Sequence, residues 1–272
     1  MEMTEILPGI YAVGTSLWIE ERKILILGDV HMGYEEALSE RGYLIPHVQF
    51  RESLKALDEI FNVVKPKTIV INGDLKHEFG QISDQEWLDT SKFFDILSEH
   101  CEKIILVRGN HDTVLGPIAL KKKLNLVESY CFELTGGETV DKNGGKNIRG
   151  SLLQRTVKAF TSGRQIKTVC ILHGDKIMEN DAASEADLLI IGHDHPAVVL
   201  REGAKNEKYK CFLLGKWKKQ RIIVMPSFLP TIEGTNIKQE RLLSPYLDQD
   251  LDSFEAFIVG DKAYRFGKVK YI

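Results

Sequence analysis

Several short apolar runs in this 272-residue chain are followed at once by side chains that could bind metal ions. The clusters are Gly28-Asp29-Val30-His31, Gly73-Asp74, Gly109-Asn110-His111-Asp112, His173-Gly174-Asp175 and Gly192-His193-Asp194-His195. Carboxylate oxygen, amide oxygen and imidazole nitrogen together suit manganese, iron or zinc. A centre with two ions also needs one carboxylate that bridges metals roughly 3.5–4 Å apart. The clusters therefore predict a two-metal centre.

The ligand types suggest which residues would bind each of the two ions and what chemistry the ions would perform. One ion is assigned to Asp29, His31, Asp74 and His195, and the other to Asp74, Asn110, His173 and His193, so Asp74 would bridge them. Two divalent cations, two carboxylates and a bridging hydroxide leave a core charge of about +1, which attracts a phosphate anion. The hydroxide would attack the phosphorus atom. His111, outside the ligand set, is predicted to protonate the leaving group, with Asp112 as its orienting partner.

The elements that must position these clusters can be read from the apolar patterns. Buried strands are predicted at Lys23–Leu27, Thr68–Ile71, Lys103–Val107, Thr168–Leu172 and Asp187–Ile191. Helices are predicted at Val48–Val64 and Asp84–His100, where apolar residues recur at helical spacing. Open α/β sheets bind ligands at the carboxyl ends of their strands, so the polar clusters are expected to meet in one crevice.

The remainder of the chain has a different pattern. After Pro196 it favours further strands, predicted at Ala197–Leu200, Tyr209–Leu214, Arg221–Met225, Phe254–Val259 and Ala263–Val269. The glycine-rich stretch Gly136–Gly150 is interpreted as a surface loop. We expect a single domain over residues 1–272, with a motif core at 23–196 and a β-rich part at 197–272.

The ordered pattern D-x-H, G-D, G-N-H-D, H and G-H-x-H resembles that of the calcineurin-like metallophosphoesterases. The resemblance implies an α/β fold with two packed mixed β-sheets flanked by helices, the four-layer αββα metallophosphoesterase sandwich. It also implies hydrolysis of phosphate esters. The phrases at residues 28–35 and 73–77 look like the SbcD-related branch of DNA-repair nucleases and its short prokaryotic relatives. That likeness implies manganese as the metal and a substrate-binding role for His77.

Composition and charge narrow the setting of this chemistry. The net charge of −3 provides no global basic field, so affinity for nucleic acid would need a local patch. The cysteines lack C-x-x-C spacing, which argues against a zinc knuckle or a disulfide framework and favours a reducing cytoplasm. The first residues lack the basic region of a signal peptide, and no apolar run approaches the ~18 residues of a membrane span. Neither secretion nor membrane insertion is predicted.

The stretch Arg201–Arg221, in which lysines alternate with aromatic residues, has two interpretations. It could be a hairpin that binds DNA or RNA, or a solvated strand pair whose lysines protect an edge. The leading functional hypothesis is a nuclease in DNA repair that cleaves phosphodiesters. A phosphodiesterase or phosphatase for small or cyclic nucleotides is the alternative, and a non-catalytic binding scaffold ranks last. A homodimer is compatible with the sequence.

Overall fold

A computed structural model describes residues 1–44, 46, 48–77, 84–112, 124–134, 166–179, 181–203 and 205–272. The strands of these residues form two sheets. The first has the sequential order β1 (Met3–Leu7), β2 (Ile10–Val13), β3 (Ser16–Ile19), β4 (Ile24–Gly28), β5 (Thr68–Asn72), β6 (Lys103–Val107) and β7 (Asn125–Val127). Strands β1 to β4 are antiparallel neighbours, and β4 to β7 are parallel.

The second sheet is also mixed. Its strands are β8 (Tyr130–Glu133), β9 (Thr168–Ile171), β10 (Leu188–Ile191), β11 (Pro196–Glu202), β12 (Lys205–Trp217), β13 (Gln220–Val224), β14 (Thr235–Asn236), β15 (Glu255–Val259) and β16 (Ala263–Lys268). Strand β10 lies parallel to both β9 and β13. The long strand β12 pairs antiparallel with β11, β13 and β15, so it connects the parallel part of this sheet with its later strands.

The helices cover the outer faces of the sheets. They are α1 (Tyr34–Glu40), α2 (Gln49–Val63), α3 (Asp84–His100), α4 (Asp181–Glu185) and a 3-10 helix at Val269–Tyr271. Helix α2 buries Leu57, Ile60 and Phe61 against the first sheet, as its amphipathic pattern requires. The short helix α4 buries Ala183 against the second sheet.

Apolar side chains form a core between the two sheets. Val70 and Ile105 of the first sheet share this cluster with Ile171, Ile190 and Ile223 of the second. Two further clusters lie on the outer faces, one under α2 and α3 and one under α4 and the chain around Tyr246. This is the α/β arrangement of two packed mixed sheets with flanking helices that the resemblance implied.

Most predicted elements are observed with shifts of a few residues at their ends. The predicted strand Lys103–Val107 and the helix Asp84–His100 have the observed bounds. Some elements were not predicted, because they are short and most of their stabilisation comes from packing on neighbours. These are strands β1 to β3, β7, β8 and β14 and helices α1 and α4. The predicted loop Gly136–Gly150 lies outside the described residues.

One pair of cysteines departs from the expectation that the sequence gives no disulfide framework. A disulfide joins Cys131 of β8 to Cys170 of β9, with their Cα atoms 4.0 Å apart. The two residues are directly opposite on antiparallel strands, although 39 positions separate them in the sequence. Spacing along the chain could not show this pairing. Among the described residues, no helix has the length and apolar character needed to cross a membrane.

Candidate metal centre

The predicted ligands lie at one edge of the two-sheet core. They follow three parallel strands of the first sheet and two parallel strands of the second. Each ligand cluster follows the carboxyl end of a strand: Asp29 and His31 follow β4, Asp74 follows β5, Asn110 and His111 follow β6, His173 follows β9, and His193 and His195 follow β10. Because the carboxyl ends of β4 to β6 and of β9 and β10 face the same crevice, residues that are far apart in the sequence become neighbours.

The first group of potential ligands contains Asp29, His31 and His195, whose donor atoms all lie within 4.8 Å of one another. The Nε2 atoms of His31 and His195 are 3.2 Å apart. The Nε2 atom of His195 is 3.7 Å from Oδ2 of Asp29. Two imidazoles and a carboxylate therefore point at one small volume.

The second group contains Asp74, His173 and His193, again with donor atoms within 4.8 Å of one another. Nε2 of His173 lies 3.1 Å from Nδ1 of His193 and 2.9 Å from Oδ1 of Asn110. Asn110 thus joins the group through the amide oxygen that the sequence pattern assigned to it. All seven predicted metal-binding residues belong to one of the two groups or contact one.

The carboxylate of Asp74 lies between the groups. Its Oδ2 atom is 3.4 Å from Nε2 of His173 and 3.9 Å from Nε2 of His31. Its Oδ1 atom accepts a hydrogen bond of 3.0 Å from the backbone N–H of His111, which fixes the plane of the carboxylate. One oxygen is held by the protein while the other faces both groups, as a bridging ligand requires.

The donor set fits two divalent cations. Asp29 is fully buried, and among the described residues its Oδ1 atom makes no hydrogen bond. A buried carboxylate oxygen without a hydrogen bond is costly unless a cation neutralises it. Oxygen and nitrogen ligands in this mixture suit manganese, iron and zinc alike, so the residues fit the ions without selecting one.

The ionisable side chains of the centre shift one another's pKa values. Burial would lower the pKa of His173, but its hydrogen bond to Asp74 and the charge of Asp29 raise that pKa to about 9. Burial would raise the pKa of Asp74, but the same His173 lowers it below its ordinary value. Burial, then the nearby His195, lowers the pKa of His31 to about 3. The pKa shifts of His173 and Asp74 therefore have one cause, the contact between these two side chains.

The backbone of the ligand residues is strained. Five of them have left-handed backbone angles: Asp29 with φ 49°, His31 with φ 47°, Asp74 with φ 35°, His193 with φ 73° and His195 with φ 46°. Such conformations cost of order 1–3 kcal/mol each in residues with a side chain and persist only where surrounding contacts impose them. Their concentration at this edge is typical of a functional site.

The turn that carries His31 is held by a side chain of helix α2. The buried side chain of Gln49 donates hydrogen bonds to the carbonyl oxygens of His31 at 2.7 Å and Val30 at 3.3 Å. Glu35 in turn accepts a hydrogen bond of 2.9 Å from the backbone N–H of Gln49 and caps the helix. Neither residue was singled out from the sequence, because nothing in its local pattern indicates a contact with the turn after β4.

The predicted partner of His111 is wrong. Asp112 does not orient the imidazole, because its carboxylate accepts hydrogen bonds from the backbone N–H groups of Gly109, Leu75 and Lys76 at 3.0, 3.0 and 3.3 Å. Nδ1 of His111 instead donates to the carbonyl oxygen of His77. This bond leaves Nε2 of His111 facing the centre, 4.0 Å from Oδ2 of Asp74.

The side chain of His77 lies beside this catalytic candidate. Its ring stacks on that of His111 with centroids 5.9 Å apart and meets the edge of Tyr34 at 4.8 Å. The ring of His31 is 5.4 Å away. His77 is therefore adjacent to the centre without belonging to either ligand group, which is compatible with the predicted contact to substrate.

The described residues of the basic stretch Arg201–Arg221 form parts of β11, β12 and β13 and the turns between them. Lys205 pairs with Glu207, and Lys208 pairs with Glu240 at 3.0 Å. Phe212 is fully buried between the sheets, so it cannot stack on a base. These contacts favour the interpretation as a solvated strand pair.

Lys210 in the same stretch has a structural partner near the centre. Its ammonium group donates to the carbonyl oxygen of Ser227 at 2.9 Å, to its hydroxyl at 3.1 Å, and to the carbonyl oxygen of Leu229. Burial lowers the pKa of Lys210 to about 7. The loop that Lys210 holds also contacts the centre, since the N–H of Phe228 donates a 2.6 Å hydrogen bond to the carbonyl oxygen of Gly28.

The close approach of ligand residues requires glycine at several positions, which include Gly73 and Gly109. A Cβ atom on Gly73 would lie 2.0 Å from Nδ1 of His173. One on Gly109 would lie 2.1 Å from Oδ1 of Asp74 and 2.2 Å from its backbone nitrogen. At Gly28, by contrast, the nearest atom would be 3.5 Å away, an ordinary contact.

We expect Gly109→Ala to displace Asp74, because the added carbon overlaps a backbone atom that cannot rotate away. The substitution should lower the free energy of unfolding by about 1–3 kcal/mol and weaken binding of Mn²⁺. Urea denaturation and titration of the metal-free protein with Mn²⁺ measure both effects. Gly28→Ala is the matched control and should change neither much. Equal behaviour of the two variants would contradict the assigned packing.

Several proteins of known structure are similar to this chain. The chain resembles the crystal structure of the Pseudomonas putida nuclease MPE with a TM-score of 0.59 and 15% sequence identity, over 97% of this chain and 99% of that one. Wild-type Vps29 of Entamoeba histolytica, solved with Zn²⁺, is matched at 17% identity and a TM-score of 0.34, over 88% and 86% of the two chains. A search of curated proteins finds no match.

The model of the calcineurin-like phosphoesterases matches residues 22–214, which contain all the ligand clusters. Members of this family act on phosphoester bonds with divalent metals, and the observed fold is the one that the family implies. The chain belongs to the calcineurin-like phosphoesterase family.

Proposed function

We propose that this chain is a two-metal phosphodiesterase that cleaves nucleic acid, with DNA as its principal substrate. The observation that carries the proposal is the position of Asp74, whose Oδ2 atom lies between the two ligand groups while Nε2 of His111 is 4.0 Å from it. Phosphate ester hydrolysis needs a clamp for charged oxygens and a proton donor for the leaving group. The two ligand groups would hold the ions of this clamp, and His111 would be the proton donor.

Asp29, His31, Asp74 and His195 would hold one divalent ion, and Asp74, Asn110, His173 and His193 the other. When bound, the ions supply Lewis-acid charge for the phosphate and a nucleophile derived from water at neutral pH. Manganese is the proposed metal, by analogy with the SbcD-related nucleases that the residues at 28–35 and 73–77 resemble.

His111 is proposed to stabilise the transition state and protonate the departing oxygen. The carbonyl oxygen of His77 holds Nδ1 of the imidazole, so Nε2 is directed to the place where the substrate must lie. A side chain that transfers a proton in this way contributes typically 10²–10⁴-fold to rate. The ring of His77 is proposed to contact the substrate beside His111.

Several observations support a nucleic-acid substrate. The nuclease MPE shares this fold over almost its entire length, and the phrases around Asp29 and Asp74 are similar to those of DNA-repair nucleases. The intact ligand set and His111 oppose a non-catalytic scaffold. A role in DNA repair is proposed by the same analogy.

The turn between β12 and β13 is not part of the proposed DNA path. Lys216, Lys218 and Lys219 lie at the amino end of β13, whereas the ligands follow the carboxyl ends of the parallel strands β9 and β10. Replacing these three lysines by glutamine should leave DNA cleavage and its dependence on salt unchanged. Each lost phosphate contact would instead reduce the slope of log affinity against log salt by roughly 0.7–0.9. Cleavage rates at increasing NaCl concentration distinguish these results.

His111→Ala should retain both metal ions and lose activity by about 10²–10⁴-fold. Asp74→Ala should lose both metal binding and activity, because it removes the ligand that the two ions would share. The measurements are bound manganese per chain and the rate of hydrolysis. Metal loss in His111→Ala would show that this residue is a ligand, and full activity of metal-free wild-type protein would refute a metal-dependent reaction.

Substrate class is tested with labelled single-stranded and double-stranded DNA, bis-p-nitrophenyl phosphate and a cyclic nucleotide, each with added Mn²⁺. We expect DNA cleavage that His111→Ala abolishes. Turnover of the model diester or cyclic nucleotide with DNA left intact would contradict the nuclease proposal and favour an enzyme for small nucleotides. No turnover of any substrate with metal bound would favour a binding scaffold.

A further inference from the structure

A short segment near the candidate metal centre, Leu243–Tyr246, contacts two of the turns that carry its histidines. Asp194 lies between the candidate ligands His193 and His195 and is buried. Its Oδ1 atom accepts a hydrogen bond of 2.6 Å from the N–H of Leu243, and its Oδ2 atom accepts one of 2.9 Å from the N–H of Ser244. Both carboxylate oxygens are thus engaged by backbone, away from the metal ligands.

The same segment reaches the turn after His173. The buried hydroxyl of Ser244 donates a 2.7 Å hydrogen bond to the carbonyl oxygen of Gly174, the residue that follows His173. The two turns also contact each other directly, since the N–H of Gly192 donates to the carbonyl oxygen of His173 at 2.9 Å. The segment therefore links all three histidines of the second sheet.

The backbone on both sides of Asp194 explains why such a link is needed. His193 and His195 have left-handed φ angles of 73° and 46°, which are unfavourable for residues with a side chain. Hydrogen bonds to an ionised carboxylate are stronger than neutral ones, and a buried N–H left without its acceptor carries a desolvation cost. The Asp194 contacts can thus hold the turn in a conformation that it would otherwise leave.

We propose that Asp194 is a positioning residue of the candidate metal centre, acting through Leu243 and Ser244 to fix His193, His195 and His173. The proposal rests on the metal-binding part of the proposed function. Side chains that hold metal ligands in place typically change metal affinity by about 10–100-fold when they are removed. Asp194 does not bind metal in this account, so its effect is on the geometry of the ligands.

The test uses the full chain and compares four variants by titration of metal-free protein with Mn²⁺. Asp194→Asn keeps the shape of the side chain but replaces one acceptor oxygen with an NH₂ group. That group cannot accept a hydrogen bond from the N–H of Leu243 or Ser244. Asp194→Ala removes both acceptors, and Ser244→Ala removes the bond to Gly174. Tyr246→Phe is the control within the same segment. It removes only the 2.9 Å hydrogen bond that the hydroxyl of Tyr246 accepts from the N–H of Met178. Thermal melting without metal is measured for each protein.

We expect Asp194→Asn to lower affinity for Mn²⁺ by about 10–100-fold, and Ser244→Ala to lower it in the same direction. Tyr246→Phe should bind Mn²⁺ as wild type does even where it melts earlier. Unchanged affinity in Asp194→Asn and Ser244→Ala would overturn the proposal, and so would an equal loss in Tyr246→Phe. Failure of the wild-type chain to bind Mn²⁺ would instead refute the proposed function itself.

Discussion

Two carboxylates buried at the meeting edge of the sheets impose the constraint on which the rest of the site depends. Asp29 and Asp74 are almost fully removed from solvent, and buried negative charges must be paired. The imidazole of His173 contacts both carboxylates at 3.4 Å, and the hydrogen bond to Asp74 and the charge of Asp29 raise the pKa of His173. Divalent cations satisfy the same requirement and add reactivity. The charge balance of the site therefore connects stability with metal binding.

The surrounding structure holds these groups where their own conformational preferences would not place them. Gln49 fixes the turn at His31, Asp112 ties the turn after Asp74 to that of Gly109, and Asp194 joins the turn of His193 and His195 to the later chain. Each of these supporting residues has a buried polar side chain that contacts backbone atoms, and none of the three is a predicted metal ligand. Strained turns and their supports thus form one cooperative arrangement.

The sequence predicted the ligand groups and the strands that carry them because strong local signals coincide there. Apolar runs of β4, β5 and β6 end in glycine followed by aspartate or asparagine, and parallel strands bring such ends together. Contacts between residues that are distant in sequence leave no such signal. The bonds of Asp112 to Leu75 and Lys76, those of the Gln49 amide and the Cys131–Cys170 pair depend on three-dimensional packing. Lys208 of β12 was ambiguous for the same reason, since its acidic partner Glu240 is distant in sequence.

The central claim, that Asp74 bridges two metal ions, is tested most directly by locating manganese through its anomalous scattering in crystals of the Mn²⁺-bound protein. The account predicts two anomalous peaks roughly 3.5–4 Å apart with Oδ2 of Asp74 between them. One peak should lie beside His31 and His195, and the other beside His173 and His193. A single peak, or two peaks that do not share Asp74, would contradict the account.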